Sequence, residues 1–487
     1  MSSSELPYPS STTPKFRIAI AGGGPAGLTL AAAIARFNDP TAPVAVDVYE
    51  AGPTIATVGA GIMVLPRTQS VLDHLGLAAG LMRDVDPAQR ELPNGIRFRK
   101  SDQEEDGYDC FHLFFPESAV LVHRSVLLET IQAGLPPHSL CNLHTSARIV
   151  SYSSEHGNPL VLHLSDGSAR TADVLIGADG IRSAVRTNLL ASYQRLVDVN
   201  VPFVEPTWTG TVAYRSLIKR ERLEAISKGH QAGRMQVMYC GKDKHIAAYP
   251  IARGTLVNFV AFYSVPGGEG SKFDGKWVRD APIEEVRQRY VGWEPDVQAL
   301  LACLETASAW AIHVVENIPH IAMDNVALIG DSVRPFTSYD VSLELWSSQA
   351  HAMETHFGAG AGLAMEDACI LARLLTNPLT TRESLKVALE TYERSRLAEV
   401  RGIFQTTRRV RDLYEFGVDR PAPKPGRENT DTPSQNAQWM TDWAENVRRA
   451  WSWEWQREVE ELWVEAEQML TNDAQAPDAV RQLQSHL

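Results

Sequence analysis

Apolar residues along this chain change period several times, and each change marks an element. Phe16–Ala21 reads FRIAIA, a short β-branched and apolar run of the kind that forms a buried strand. Gly22–Gly27 (GGGPAG) interrupts it, and the Ala/Leu-rich stretch Leu28–Phe37 predicts a helix. Val44–Tyr49 is the next apolar run and ends at Glu50, so this segment predicts a complete β-α-β unit. From Leu143 to Val174 the pattern turns to alternation. There Leu160–Leu164, Ser165-Asp166-Gly167 and Asp173–Gly177 predict strand, turn and strand. The region Thr207–Tyr263 is richer still: Trp208–Leu217, Met235–Cys240, His245–Ile251 and Leu256–Tyr263 predict a mixed sheet over a cavity.

Val326–Ile329 is a further buried strand, closed by Gly330-Asp331. Gly358–Leu375 passes from glycine-rich loop into helix, and Glu383–Asp412 reads as a long charged helix. A loop rich in Pro, Asn and Thr (Asp419–Gln435) leads to a Trp-rich helical tail. Its Trp443, Trp451, Trp453, Trp455 and Trp463 are expected to pack on the rest of the chain rather than to form a binding platform.

Composition narrows the picture. At 487 residues, with 44% hydrophobic and 22% charged, the chain supports two joined domains with a large core. A formal net charge of -13 argues against a nucleic-acid surface, while leaving room for local basic pockets. The five cysteines (Cys110, Cys141, Cys240, Cys303, Cys369) are scattered without metal-like spacing and read as reduced thiols. The Ser/Thr/Pro-rich start lacks a signal-peptide core, and no apolar run is long enough to span a bilayer. A cytoplasmic monomer or homodimer is expected. Ser485-His486-Leu487 resembles a peroxisomal address, though so short a match arises often by chance.

The first chemistry is Gly22-x-Gly24-x-x-Gly27 between strand and helix, with Glu50 closing the next strand. Glycines allow a tight turn and bring backbone amides up to a pyrophosphate at the helix N-terminus. An acidic side chain at Glu50 accepts from both ribose hydroxyls and repels a 2′-phosphate. The spacing therefore predicts an unphosphorylated adenosine dinucleotide, FAD or NAD.

Three later blocks decide between them: DVLIGADGIRSAVR (Asp173–Arg186), NVALIGD (Asn325–Asp331) and HFGAGAGLAMEDA (His356–Ala368). Together, and in this order, they make the chain resemble the FAD-dependent aromatic hydroxylases, the group A flavoprotein monooxygenases, and in particular fungal salicylate-hydroxylase-like enzymes. The resemblance runs from about Phe16 to beyond Leu375. It implies an α/β fold: a Rossmann-type FAD-binding domain, an interleaved mixed β-sheet substrate domain and a helical C-terminal region. The expected boundaries are 1–15 disordered, 16–200 and 316–415 for the FAD domain, 201–315 for the substrate sheet and 416–487 for the tail. The resemblance also implies NADPH or NADH as transient co-substrate, O2, and hydroxylation of a small aromatic substrate through a flavin C4a-hydroperoxide. The setting implied is secondary metabolism or aromatic degradation.

Residue by residue, the resemblance assigns Gly22, Gly24, Gly27 and Glu50 to the adenosine half of FAD, with Gly61 among the cofactor-binding positions. It assigns Arg124 to the phosphate region, Asp179 to the FAD and NAD(P)H motif and Asp331 to a ribityl hydroxyl. Gly358, Gly360 and Gly362 fall in the loop facing the flavin ring. Without it, Asp179 and Asp331 are turn or helix-capping residues. Arg215 and Tyr249 stand on predicted strands above the flavin, and the resemblance makes them the candidates that bind and help deprotonate a phenol. Epoxidation or dearomatisation on the same fold is the alternative reading.

One segment departs from the family pattern. Val333–Gln349 (VRPFTSYDVSLELWSSQ) separates Gly330-Asp331-Ser332 from AHAMETHFGAGAG, and its removal restores the family's arrangement around His351. Valine codons begin with GT and one glutamine codon is CAG, so a translated short intron is expected here, with a genuine insertion as the alternative. A real insertion would threaten FAD binding and leave an inactive homologue.

Overall fold

The computed structural model describes residues 13–55, 61–83, 85, 94–135, 140–154, 159–197, 205–315, 318–332, 356–417 and 433–475. Val333–Gln349, His351, residues 1–12 and Ser485-His486-Leu487 lie outside them.

The chain opens with the expected unit, β1 (Phe16–Ala21), α1 (Pro25–Phe37) and β2 (Val44–Tyr49). β3 (Gly61–Val64), α2 (Pro66–His74), α3 (Ala78–Met82), β4 (Ile96–Lys100) and β5 (Tyr108–Leu113) follow. β6 (Val120–His123), α4 (Arg124–Gln132) and β7 (Cys141–His144) complete this part. β8 (Ile149–Ser153), β9 (Leu160–Leu164) and β10 (Ala169–Ala172) make a small antiparallel sheet, and β11 (Val174–Gly177) and α5 (Ala184–Val197) come next.

The sequence reading made Asp173–Gly177 the return strand of the β9 hairpin. The partner of β9 is instead β10, largely exposed, while β11 is wholly buried and joins the parallel sheet. A strand buried on both faces needs a continuous apolar run, and Val174-Leu175-Ile176 supplies it.

The middle of the chain contributes β12 (Thr207–Lys219), α6 (Arg220–Ile226), β13 (Gln236–Gly241), β14 (Lys244–Ile251) and β15 (Leu256–Ser264). It continues with β16 (Val278–Ala281), α7 (Ile283–Arg289), α8 (Pro295–Ala302) and β17 (Ala307–Val314). The last elements are β18 (Ala322–Met323), β19 (Val326–Leu328), α9 (Gly360–Thr376), α10 (Leu385–Tyr414), α11 (Pro433–Ala450), α12 (Trp453–Gln456) and α13 (Val459–Gln475).

Two sheets organise the site. The six-stranded sheet runs β18-β19-β11-β1-β2-β7, and every pair except β18 with β19 is parallel. The eight-stranded sheet runs β16-β17-β12-β15-β14-β13-β4-β5 and is antiparallel apart from β13 with β4. β4 and β5 thus correct the expected boundary at residue 201, because they leave the first segment to extend the second sheet. One face of that sheet packs Tyr214, Tyr239, Ile246 and Phe259 against Val286, Val297 and Leu300 of α7 and α8. Its other face turns to the cofactor domain and the tail.

The tail closes over this junction as expected. Trp451 is buried, donates to the Tyr414 hydroxyl at 2.8 Å and meets Phe357 edge-on at 4.8 Å. Trp443 donates to the Leu413 carbonyl at 2.9 Å.

A buried ionic network ties the helices together. Arg67 of α2 donates to Glu366 at 2.6 Å and to Glu399 at 2.9 Å, while Arg396 of α10 donates to Asp367 at 2.7 Å. Glu454 of α12 accepts the Arg67 backbone N–H at 3.0 Å. Burial pushes the Glu454 carboxyl up to about 8, against the pull of that hydrogen bond. Its folded-state pKa lies above the unfolded value, so its contribution to stability is complete below about pH 4.5 and is lost as pH rises towards 8. Glu454→Gln is therefore expected to leave the melting temperature unchanged at pH 5 and to raise it at pH 8.5, as thermal melts at the two pH values would show.

Candidate active site

Five strands of the first sheet run the same way, so the loops that follow them meet at one edge. After β1 comes Gly22-Gly23-Gly24, after β2 Glu50, after β11 Asp179-Gly180, and after β19 Gly330-Asp331. Motifs spread over three hundred positions of sequence thus converge on the carboxyl ends of parallel strands, where α/β sheets bind their ligands.

The glycine turn is built by steric necessity. Gly22 has φ of 110°, and a Cβ there would strike the Ala178 carbonyl of the neighbouring strand's loop. A Cβ on Gly27 would strike the Gly22 carbonyl oxygen, so the helix can begin this close to the strand only with glycine. Gly24, in contrast, has nothing within 4 Å of its Cβ position and opens on the crevice. Glu50 accepts from the Gly23 N–H at 2.8 Å and the Gly52 N–H at 2.7 Å, which fixes its carboxylate at the end of β2.

Asp179 accepts from the Ala184 N–H at 2.8 Å and the Ser183 hydroxyl at 2.5 Å, capping α5. Ser332 bridges the two motif loops: its hydroxyl donates to Asp179 at 3.1 Å and accepts from the Gly180 N–H at 3.0 Å. Asp331 beside it is exposed. Asp367 accepts from the Gly330 N–H at 3.4 Å, linking the ionic network to this turn.

Gly358 (φ of 70°) and Gly360 lead into α9. Gly360 has nothing within 4 Å of its Cβ position, whereas a Cβ on Gly362 would strike the Thr68 hydroxyl of α2. Glycine at 362 is therefore needed for helix packing. Gly61 lies apart from the phosphate-side loops: its N–H donates to Asn258 Oδ1 at 2.7 Å, and a Cβ would sit 2.9 Å from Tyr249 Cε2. It is where β3 crosses the second sheet.

These residues fit a bound dinucleotide. Neither α1 nor α9 has an acidic residue in its first turn or a side-chain cap, so their leading N–H groups and dipoles are available to an anion. Gly24, Gly180 and Gly360 leave space where side chains would otherwise intrude.

The face of the eight-stranded sheet that turns to the cofactor domain and the tail carries the remaining candidates. Register places Ser308, Arg215, Val260, Ala247 and Met238 in one row and Leu217, Asn258 and Tyr249 in the next. Alternation puts both rows on one face. Arg215 lies over the Trp310 ring at 4.7 Å, and its Nε is buried with no hydrogen-bond partner among the described residues. Burial holds its guanidinium below the ordinary arginine range, Tyr249 opposing this and Arg124 adding to it. Arg124 begins α4, directly after β6, the strand that pairs with β3. Tyr249 is buried, which pushes its phenol well up despite Arg215.

Among the curated relatives are two that are 30% identical to the chain. One is an FAD-dependent monooxygenase of Strobilurus tenacellus, matched over 81% of this chain and 88% of its own; the other is a salicylate hydroxylase of Pseudomonas putida, over 83% and 86%. The chain belongs to the FAD-dependent aromatic monooxygenases. A solved salicylate hydroxylase substrate complex superposes on the monooxygenase with a TM-score of 0.72 at 26% identity, covering 93% of this chain and 98% of that one. The tryptophan halogenase family model matches only residues 17–150 of the monooxygenase. FAD is its cofactor.

Sequence reasoning missed Ser332, Asn258 and Trp310. Asn258, a lone amide inside the apolar run LVNFVAF, was the visible signal. Among the described residues no helix is long and apolar enough to cross a membrane.

Proposed function

We propose that this monooxygenase hydroxylates a small phenol, of the class that includes salicylates, using NADH or NADPH and O2. The observation that carries the substrate class is Arg215: a buried guanidinium edge, backed by Trp310 and close to Arg124, with no carboxylate of the described residues paired to it. Such a cation is matched by a phenolate or an aromatic carboxylate. Held by the glycine turn at Gly22–Gly27 and by Glu50, FAD would supply the redox and O2 chemistry. The protein's part is to hold the ring and make it electron-rich. Arg215 stabilises the phenolate. Tyr249, neutral because its pKa is pushed up, donates a hydrogen bond to the substrate oxygen and does not serve as the base. Relatives support the class: one is a 6-methylsalicylate 1-monooxygenase of Aspergillus terreus, 28% identical.

Arg215→Gln is expected to retain FAD and to lose about 100-fold in kcat/KM for a phenolic substrate, the scale of one lost charge contact in the transition state. Product formed under 18O2 checks the reaction: one labelled oxygen on the ring supports the reading. Undiminished turnover in Arg215→Gln would point to epoxidation or dearomatisation of a neutral substrate instead.

A further inference from the structure

Side chains alternate along β12, so Ala213 and Arg215 stand on one face of the eight-stranded sheet while Val212 and Tyr214 stand on the other. α7 and α8 cover part of that second face. Beside α7 it opens into a cavity of about 210 Å³. The floor is Ala309 and Ala311 of β17, which pair with Tyr214 and Val212. Trp310 between them turns the opposite way, onto Arg215, so the small side chains fall on the cavity side.

Tyr214, Tyr263, Trp208 and Phe273 form the walls. Phe273 belongs to the loop between β15 and β16, and that loop is pinned to the sheet. The Val265 N–H donates to the Gly210 carbonyl at 2.8 Å and the Gly270 N–H to the Trp208 carbonyl at 3.0 Å. Phe273 also rests on the Trp208 ring at 5.0 Å.

Three cations, Lys276, Arg279 and Arg289, line the cavity against one carboxylate, Glu285. Glu285 is already engaged: its Oε1 accepts from Arg279 at 2.7 Å and from the Tyr214 hydroxyl at 2.7 Å. Burial, with Glu285 adding to it, pushes Tyr214 up to about 12, so this hydroxyl keeps its proton and goes on donating. Arg279 is thereby matched. Among the described residues neither Lys276 nor Arg289 has a carboxylate within ion-pair distance. Arg289 lies over the Tyr263 ring at 4.2 Å, which holds the guanidinium in place without neutralising it.

An apolar floor, aromatic walls and unmatched positive charge favour an anion that carries a flat apolar body. An inorganic anion would leave the walls uncovered, and an uncharged ring would leave Arg289 and Lys276 unmatched. Sites for drug-sized ligands run to about 300–1,000 Å³, so this smaller cavity suits a single ring. We propose that it is a second binding site, on the far face of the sheet from Arg215, for a single-ring aromatic carboxylate held at Arg289 and Lys276. The site stands independently of the phenol reading above.

Its ligand class overlaps with the proposed substrates, so variants and not ligands must separate the two sites. The probe is radiolabelled salicylate in equilibrium dialysis against the FAD-loaded full chain, with flavin absorbance followed in parallel. Arg289→Gln and Lys276→Glu are each expected to weaken one class of bound salicylate about tenfold or more, the scale of one lost charge-assisted contact. Any effect of salicylate on flavin absorbance should be the same in both variants as in the unaltered chain. Labelled salicylamide, the uncharged counterpart, should not occupy this class. Lys276 is exposed, so its substitution decides if Arg289→Gln does not fold. Isotherms that superimpose on the unaltered chain's, or salicylamide binding this class as tightly as salicylate, would overturn the proposal. Salicylate that needs Arg289 and Lys276 but ignores Arg215→Gln and leaves the flavin spectrum unmoved would uphold the second site while removing the phenol reading.

Discussion

Gly27→Ala is expected to leave the protein without bound flavin. A methyl at 27 meets a backbone oxygen, that of Gly22, which can yield only by opening the turn between β1 and α1. Overpacking of this kind costs about 1–3 kcal/mol, and here the cost falls on the loop that must face the pyrophosphate. An affinity loss on the order of 100-fold corresponds to the upper part of that range. Gly24→Ala separates the two roles of the motif. Its methyl enters open space, so the flavin-free protein should melt as the parent does, while flavin affinity still falls because the added atom occupies the crevice. Flavin absorbance per protein after gel filtration, with melting curves of the apo forms, reads both effects. Full flavin occupancy in Gly27→Ala would show that the turn is not the cofactor's seat.

Arg396→Met is expected to be the most destabilising single change in the chain. Arg396 is 1% exposed and faces Asp367 at 2.7 Å and Glu366 at 3.8 Å, themselves buried. Removing one partner from a buried charge network costs about 3–5 kcal/mol, because the carboxylates left behind stay out of water. For a domain of about 150–250 residues that corresponds to a fall in melting temperature of roughly 6–20 °C. Burial already pushes Asp367 and Glu366 up, with Arg396 opposing in both cases. Without the guanidinium both carboxyls protonate more readily, so the variant should recover part of its stability at lower pH. Melting curves at pH 8 and pH 5 test both statements; equal losses at the two values would mean the charge is not the cause.

The first β-α-β unit was legible because each of its signals is local. An apolar run, a glycine turn and an Ala-rich helix sit within thirty-five positions, and Glu50 ends the next strand. The convergence of the later motifs was legible only through resemblance, since nothing in NVALIGD alone says that β19 lies beside β11. The β11 assignment failed for a related reason: alternation and continuous burial look alike over four residues, and only the partner strand decides. Gly61 and Gly362 were read as cofactor glycines, but the atoms that demand glycine there, Asn258 and Thr68, come from distant elements. The ionic network has no sequence signature, since Arg67, Glu366 and Arg396 meet only when α2, α9 and α10 pack. That Arg215 and Tyr249 share one sheet face follows from strand alternation, whereas the state of Tyr249 depends on burial, which alternation does not give.

The most direct test of the central claim is anaerobic reduction of the FAD-loaded protein by NADH or NADPH, with and without a panel of phenols and salicylates. The full chain and a version lacking Val333–Gln349 should be run side by side, followed by admission of O2. An aromatic hydroxylase built as described predicts that one member of the panel speeds flavin bleaching and is recovered with an added ring hydroxyl once O2 enters. Bleaching at the same rate with every compound, and no hydroxylated product from either version, would contradict it.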